Sequence, residues 1–428
     1  MMATAIGVGT FLLLLALGLP VALTFIVAGA AGIYVLMGPE LVLGILTTTP
    51  LSSVQVFAFI AIPMFILMAN LIIASGVSDE LFEVAKKWMG RVPGGLAHAT
   101  ALTGASFGAV SGSSTAAAAT LASTSIPGMI KQGYDPRLAS GVAAISGALA
   151  MLIPPSVAMV LYALIADLRV GYLLMAGLVP GILVTLTIML TVSVWVWRKP
   201  SAAPNAQGYS LREKIRSLGS AWAFLVLFVL VTGFIYLGIA TPSETSALGA
   251  LAALLLCFYR RVSLRQLADA LISSVEASCM IALIMIGAQV FGYFVTLAQV
   301  PQDIIGFISE AQINRWMVLA LVIALYLVLG CFMDLVTMLI VTVPIVSPLM
   351  QSLGFNPYWI AVITIITAEV GMVTPPLGFN VFVISKYSGI PVGQIFRGSF
   401  PHVVSHILLI LLLVVFPGLV TWLPSTMN

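Results

Sequence analysis

One serine cluster, two Pro-Pro pairs and one carboxylate supply most of the chemistry this sequence can do. Ser111-Gly112-Ser113-Ser114 forms a polar knot within an apolar stretch, and Ile153-Pro154-Pro155-Ser156 interrupts another. Proline lacks an N–H and clashes with the carbonyl four residues earlier, so a Pro-Pro pair opens a helix and frees carbonyl oxygens. Free carbonyls and hydroxyls are hard oxygen ligands suited to a small alkali cation. A half-helix N-terminus turns partial positive charge toward an anion. The same pieces recur as Asp334 and Thr374-Pro375-Pro376. A carboxylate at that point would add a charged ligand to a second cation site; the alternative is a hydrogen-bonded structural Asp.

The recurrence has a fixed register. A shift of 221 carries Pro127 to Pro348, Pro136 to Pro357, Pro154-Pro155 to Pro375-Pro376 and Pro180 to Pro401, without a gap. Gly133 falls on Gly354, and Ser113 falls on Asp334. The chain is an internal duplication.

The elements that hold these residues belong to a membrane. Hydrophobic residues make up 61% and charged residues 7%, with mean hydropathy +1.17. A soluble domain carries about 25% charge. Long apolar runs recur at 4–36, 54–75, 171–197, 218–239, 243–259, 278–300 and 403–423. Several suffice to cross about 30 Å of hydrocarbon. The first lacks a Lys/Arg-rich start and a clear cleavage site, so it reads as a retained span.

The polar stretch from Arg198 to Ser217 separates the copies and is basic, hence cytoplasmic by the positive-inside rule. Arg260, Arg261 and Arg265 return to that side after two apolar runs. Shifted back by 221 they fall on 39–44, whose only charge is Glu40; Lys86, Lys87 and Arg91 map near 307–312, whose only charge is Glu310, although Arg315 lies close by. Copies inserted the same way round would share basic loops. These do not, which indicates an inverted-topology repeat.

Limb lengths refine the organisation. Limbs of about 17 and 16 residues flank the Ser111–Ser114 tip. Both fall short of the roughly 20 needed for a crossing, and a polar tip between short limbs reads as a re-entrant hairpin. The expected fold is an all-α polytopic membrane protein, an inverted-topology repeat with two re-entrant hairpins and two Pro-Pro-broken helices. The first repeat is 1–197, with hairpin 94–130 and broken helix 137–170. A cytoplasmic linker at 198–217 separates it from the second repeat at 218–428, with hairpin 313–350 and broken helix 357–390. A hairpin tip facing a broken helix can hold Na⁺ and an anionic substrate near the bilayer midplane.

Other ionisable residues have blander readings. Glu369, six residues before Pro375, is either a proton carrier or a helix–helix hydrogen-bonder. Thr241-Pro242-Ser243-Glu244 reads as a capping box with proline at the first helical position. His402 and His406 share a spacing for one helix face but lack a third ligand. Cys257, Cys279 and Cys331 read as small buried hydrophobes. Val77 to Val92 has the periodicity of a helix lying at the membrane surface. No G-x-x-x-x-G-K-[ST] motif is present, so transport would be driven by an ion gradient, without ATP. Nothing in the +3 net charge points to nucleic acid. An intramembrane enzyme would need a catalytic pair at depth, and Asp334 with Glu369 is the one candidate.

These motifs resemble one family, the large membrane subunit of tripartite ATP-independent periplasmic (TRAP) transporters, over nearly the whole chain. The resemblance rests on Gly94-Gly95-Leu96, Ser111–Ser114, Gly133-Tyr134, Ile153–Ser156, Ala240–Glu244, Gly330 with Asp334, and Thr374-Pro375-Pro376-Leu377-Gly378. It implies an elevator-type, ion-transporter-like permease of the bacterial inner membrane. Implied partners are a small four-helix membrane subunit and a periplasmic substrate-binding protein. The implied cargo is an organic acid, such as a C4-dicarboxylate, sialic acid or another sugar or keto acid, carried with Na⁺ and no resident cofactor. By the resemblance, one Na⁺ site comprises Ser111, Ser113 and carbonyls around Ala150, Ile153 and Pro155. The second comprises Gly330, Asp334, Thr374 and the carbonyl near Leu377. Ser114, Ser156 and Asn380 are substrate contacts by their nearness to the breaks. A stand-alone Na⁺/dicarboxylate symporter is the alternative.

Overall fold

The computed structural model describes residues 2–111, 113–148, 151–204 and 208–427, with the side chains of Met2, Ser78, Ala109, Val110 and Ser111 outside the description. Those residues form helices and no strand. The first copy opens with α1 (Met2–Ala16), α2 (Val21–Met37), α3 (Pro39–Val54), α4 (Ala61–Ala74) and α5 (Val77–Met89). Next come α6 (Gly95–Ser111) and α7 (Ser114–Lys131), then α8 (Pro136–Ala148) and α9 (Val157–Ile165) around the first proline pair, and finally α10 (Val170–Arg198). The second copy contains α11 (Leu211–Leu218), α12 (Trp222–Tyr236), α13 (Pro242–Tyr259), α14 (Leu264–Leu297) and α15 (Val300–Glu310). It continues with α16 (Arg315–Phe332), α17 (Leu335–Ser352), α18 (Pro357–Gly371), α19 (Phe379–Ser388), α20 (Val392–Val415) and α21 (Gly418–Ser425). Among the described residues seven helices are long and apolar enough to cross a membrane, or up to eight if the bent pair α11 and α12 counts as one span.

The duplication survives in the backbone. Moved by 221, the ends of α7 at 114 and 131 land on the ends of α17 at 335 and 352. Gly133 and Gly354 each come after their helix with left-handed φ of +85° and +80°. Both proline pairs, Pro154-Pro155 and Pro375-Pro376, are cis.

Two layers are distinguishable by burial. Every residue of α8 from Leu138 to Ala148, and of α18 from Trp359 to Gly371, is buried. A helix apolar on all sides belongs inside a bundle. Around these, α14 keeps one exposed stripe, Ile272, Val275, Cys279 and Leu283, at helical spacing. Cys279 is therefore exposed, contrary to the sequence expectation, whereas Cys257 and Cys331 are buried.

Aromatic rings pin α1 and α2 to α14. Phe11, Phe25 and Phe291 stand 5.2–5.4 Å apart. Gly29 permits this approach, since a Cβ there would lie 2.9 Å from the Phe291 backbone. The apolar run 4–36, expected as one span, is split into two helices of 15 and 17 residues. Gly18 turns with φ +79°, and Pro20 cannot continue a helix because it lacks an N–H.

Basic loops tie together at one end of the molecule. Lys199 donates to Asp135 at 2.8 Å across the α7–α8 turn, and the Asp135 N–H donates to the Ala202 carbonyl at 2.9 Å. Partial burial alone would raise the Asp135 pKa, but the Lys199 hydrogen bond and charge, with the Arg137 N–H, hold it below its usual value. Arg260 grips both Glu80 oxygens, at 2.9 and 2.7 Å, joining α13 to the amphipathic α5. Lys214 on α11 reaches the Trp88 carbonyl at 3.1 Å. The expected capping box is present: Glu244 accepts the Thr241 N–H at 2.8 Å, and the Glu244 N–H donates to Thr241 Oγ1 at 3.3 Å.

Candidate functional site

Each tip begins with a capping side chain. Ser113 precedes α7, and its Oγ accepts from the Ala116 N–H at 3.4 Å and lies 3.1 Å from Thr115 Oγ1. At the equivalent place Asp334 precedes α17. Its carboxylate accepts from the Thr337 N–H at 3.2 Å and from Thr337 Oγ1 at 2.5 Å. Ser and Asp are both good N-caps because a short side-chain oxygen satisfies an orphan amide.

The second break is fastened to the second tip. The Gly378 N–H donates to the Cys331 carbonyl at 3.1 Å, and the Cys331 thiol reaches the Pro375 carbonyl at 3.2 Å. Gly378 is left-handed, with φ +60°. Gly330, in the last turn of α16, sits against Gly371 on α18; a Cβ on Gly330 would fall 2.6 Å from the Ala368 carbonyl oxygen. Thr374 Oγ1 donates to Val370 O at 2.7 Å, and Leu377 is 46% exposed. Gly330, Thr374 and the chain up to Gly378 thus surround one junction, and Asp334 follows it four residues after Gly330.

The tips of both copies open into one cleft of about 410 Å³. Ser113, Ser114 and Thr115 line one side, and Asp334 and Thr337 another. The far wall comes from α4 and α14, where Asn70 Nδ2 donates to Ser274 Oγ at 2.8 Å. Ser114 is buried and its hydroxyl meets Met372 Sδ at 3.9 Å, which links the first tip to the second break. Among the described lining residues there is no Lys or Arg, and Asp334 is the one charged group.

Ile153, Pro155, Ser156 and Asn380 are not among the described lining residues. Ser111 ends α6, with its side chain outside the described part, and Ala150 lies outside the described residues. Ile153 and Pro155 are buried, and Ile153 packs where Gly181 leaves room. Ser156 caps α9: it accepts the Met159 N–H at 3.2 Å and donates to the Met151 carbonyl. Asn380 is fully buried. Glu369 is 4% exposed, and its Oε1 lacks a hydrogen-bond partner among the described residues. The His406 ring takes its helix partner's carbonyl, Nδ1 to His402 O at 2.6 Å. Among the described residues no group of three His, Cys, Asp or Glu could hold a metal ion.

Asn70, Thr115, Met280, Thr337 and Phe379 line the cleft without being singled out by sequence. Thr337 carries a signal, since it stands three residues after Asp334, where an N-cap's partner belongs. Asn70 is the one asparagine in the run 54–75.

A family model described as "Tripartite ATP-independent periplasmic transporter, DctM component" matches residues 8–419. The chain belongs to that family. The permease is 34% identical over 371 residues to the C4-dicarboxylate TRAP transporter large permease protein DctM of Pseudomonas aeruginosa, covering 86% of this chain and 85% of that protein. It is 31% identical over 379 residues, 88% of each chain, to the sialic acid TRAP transporter large permease protein SiaM of Vibrio cholerae. The crystal structure of the Alcanivorax borkumensis YdaH transporter superposes with TM-score 0.65 at 14% identity, covering 89% of this chain and 90% of that one. At that identity the likeness establishes the fold alone. The relatives are transporter permeases, so the chain is a multi-pass inner-membrane permease subunit and not an enzyme.

Proposed function

We propose that this permease imports an organic acid on a Na⁺ gradient, the acid being delivered by a periplasmic binding protein and the permease being paired with a small four-helix membrane subunit. The acid belongs with the C4-dicarboxylates, sialic acids and other sugar or keto acids that such relatives carry. The observation that carries the reading is the cleft into which both capped tips open, one neutral and one charged.

Na⁺ as co-transported cargo finds hard oxygens at two places. One is formed by Ser111, Ser113 and the carbonyls of Ala150, Ile153 and Pro155. The other is formed by Gly330, Asp334, Thr374 and the carbonyl of Leu377. The substrate carboxylate lies at Ser114, with Ser156 and Asn380 behind it. A carboxylate ligand beside carbonyls suits a hard monovalent ion, and half-helix N-termini suit the anion.

The repeats, 1–197 and 218–428 around the linker 198–217, are inverted, each with a re-entrant hairpin. Three observations support this. The α7–α8 turn is bonded to the linker through Asp135 and Lys199. The 29 residues of α10 rise roughly 43 Å at 1.5 Å each, which carries the 166–169 loop a membrane's thickness from that linker. Gln351, at the equivalent end of α17, lines a second cleft together with Asp167 of that far loop. On this reading equivalent turns occupy opposite faces. The two clefts also succeed one another along α14: the tips' cleft takes Ser273 to Ile284, nearer the Arg260 side, and the second takes Met285 to Thr296. In this reading the hairpin-bearing core moves past α14 as an elevator, and the present conformation offers the site to the cytoplasm. A docked binding protein favours the outward form through differential contacts.

The test is reconstitution of the full-length chain in liposomes with a Na⁺ gradient. Uptake should require the small subunit and the loaded binding protein together. Robust Na⁺-driven uptake by this chain alone would replace the tripartite reading with a stand-alone symporter.

A further inference from the structure

We infer that Asn70, on the far wall of the cleft, is a specificity-determining residue: its amide oxygen accepts from a hydroxyl of the substrate, so that hydroxylated acids are held best. This rests on the reading that the cleft is the transport site, and names the part of the acid's body that the site reads.

The polar lining divides between the tips and the far wall. On the tips, Ser113 Oγ accepts from the Ala116 N–H and lies 3.1 Å from Thr115 Oγ1, Ser114 meets Met372 Sδ, and Thr337 holds Asp334. The far wall contributes Asn70 from α4 and the exposed Ser273 from α14, set among Ile66, Ile73, Ala277 and Met280.

The bonds around Asn70 fix which way its amide faces. Ser274 Oγ gives its one hydrogen to the Ala270 carbonyl at 2.7 Å, so toward Asn70 it can only accept. The amide atom 2.8 Å from it is therefore the donor Nδ2. Asn70 is half-buried and lines the cleft, and it has Oδ1 and one further N–H left to offer. Among the described residues none donates to Oδ1.

An acceptor on a binding wall calls for a donor on the ligand. A hydroxyl supplies one to Oδ1, and its oxygen can accept from an N–H or O–H of the same wall. A keto oxygen answers the wall's donors only. A methylene answers neither and leaves Oδ1 stripped of water without a partner. Sites built to bond a hydroxyl reject the analogue lacking it for this reason. The hydroxy-dicarboxylates and sugar acids within the proposed substrate class carry such a group, so the wall sorts members of that class.

The test is isothermal titration of the purified full-length chain with its small membrane subunit, so that a binding protein's selectivity does not intervene. The probes are paired acids: malate against succinate, 2-hydroxyglutarate against 2-oxoglutarate, and gluconate against hexanoate, each in Na⁺ and in choline. In at least one pair the hydroxylated acid should bind about tenfold tighter, and no pair should show the reverse order. Asn70→Leu, close to Asn in volume, should bring that pair within about twofold by weakening the hydroxylated acid alone. Ser274→Ala keeps Asn70 but frees its amide to turn, and should lose part of the preference. If the Asn70–Ser274 bond only ties α4 to α14, both variants will lower the melting temperature and weaken both acids of a pair alike, which would overturn the inference. Equal binding within every pair of the parent would overturn it too; if that binding still requires Na⁺, the transport reading survives. If no acid binds, both readings fall.

Discussion

Replacing Asp334 by Asn separates the cap that the side chain forms from the cation-ligand role proposed for it. As a cap, Asp334 holds the first turn of α17 through the Thr337 N–H at 3.2 Å and the Thr337 hydroxyl at 2.5 Å. Asn caps about as well as Asp, so the stability change should stay within about 0.5 kcal/mol. As a cation ligand, Asp334 contributes a full charge in a cleft with no other charged group among its described lining residues. At an effective dielectric near 20 and a separation of about 4 Å, that attraction is about 4 kcal/mol before desolvation is subtracted. A net loss of about 2–3 kcal/mol is therefore reasonable, which weakens apparent Na⁺ affinity roughly 30- to 150-fold. The assay is Na⁺ titration of uptake by the assembled transporter, paired with thermal melting in choline to read the cap alone. Asp334→Ala serves as the contrast, since it removes both jobs and should also lower the melting temperature. A half-saturating Na⁺ concentration within threefold of the parent in Asp334→Asn would return this carboxylate to a purely structural role.

Three further outcomes test the fold around the site. Gly330→Ala places a Cβ 2.6 Å from the Ala368 carbonyl oxygen and 2.8 Å from Gly371 Cα, both backbone; it should destabilise by about 1–3 kcal/mol, seen as a lower melting temperature. Lys131→Cys and Ser352→Cys, equivalent under the 221 shift and both exposed, should react with an impermeant maleimide from opposite membrane faces; reaction of both from one face would remove the inverted repeat. Asp135→Asn should destabilise by at most about 1 kcal/mol at pH 7, because Lys199 is half exposed and the pair is screened. Since folding lowers the Asp135 pKa, its contribution is present above the unfolded value near 3.9 and fades as pH falls through the folded value. The difference between Asp135→Asn and the parent should accordingly close on acidification below about pH 4.

The features legible in the sequence are local or periodic. Pro-Pro breaks announce themselves because proline removes a donor wherever it stands. The tips are legible because Ser and Asp stop apolar runs and cap the helix behind them, and because the 221 shift repeats them. The capping box at Thr241 and Glu244 needs only a three-residue spacing. Contacts between distant segments leave no such trace. Asn70 and Ser274 are 204 residues apart, and nothing local in either segment names the other. Apolar side chains are equally silent about their surroundings: Leu138 is fully buried, while Leu186 is 54% exposed on another apolar helix. In a membrane both the lipid and the protein interior accept Leu, so hydropathy cannot tell the core from the outer layer. The split of the first apolar run escapes for the same reason, since Gly18 and Pro20 interrupt the backbone without interrupting hydrophobicity.

The duplication also explains why the two tips can differ in charge without differing in fold. Backbone at 114–131 and 335–352 is equivalent end for end, and each helix needs one short oxygen-bearing side chain at its N-cap. Ser113 and Asp334 both meet that requirement. The fold is therefore indifferent between a hydroxyl and a carboxylate there, and the choice is left to what the cleft must hold. An inward-facing carboxylate in a cleft without lysine or arginine is unfavourable unless a cation accompanies it. Had both tips carried Asp, two such charges would face one cleft of about 410 Å³; had both carried Ser, no charged ligand would anchor the ion. One of each gives a single fixed anion, so under the proposed function a cation at Asp334 would be the condition under which a substrate carboxylate enters beside it. That condition would be the proposed coupling: the anion would meet a neutralised site only when the gradient has supplied the cation.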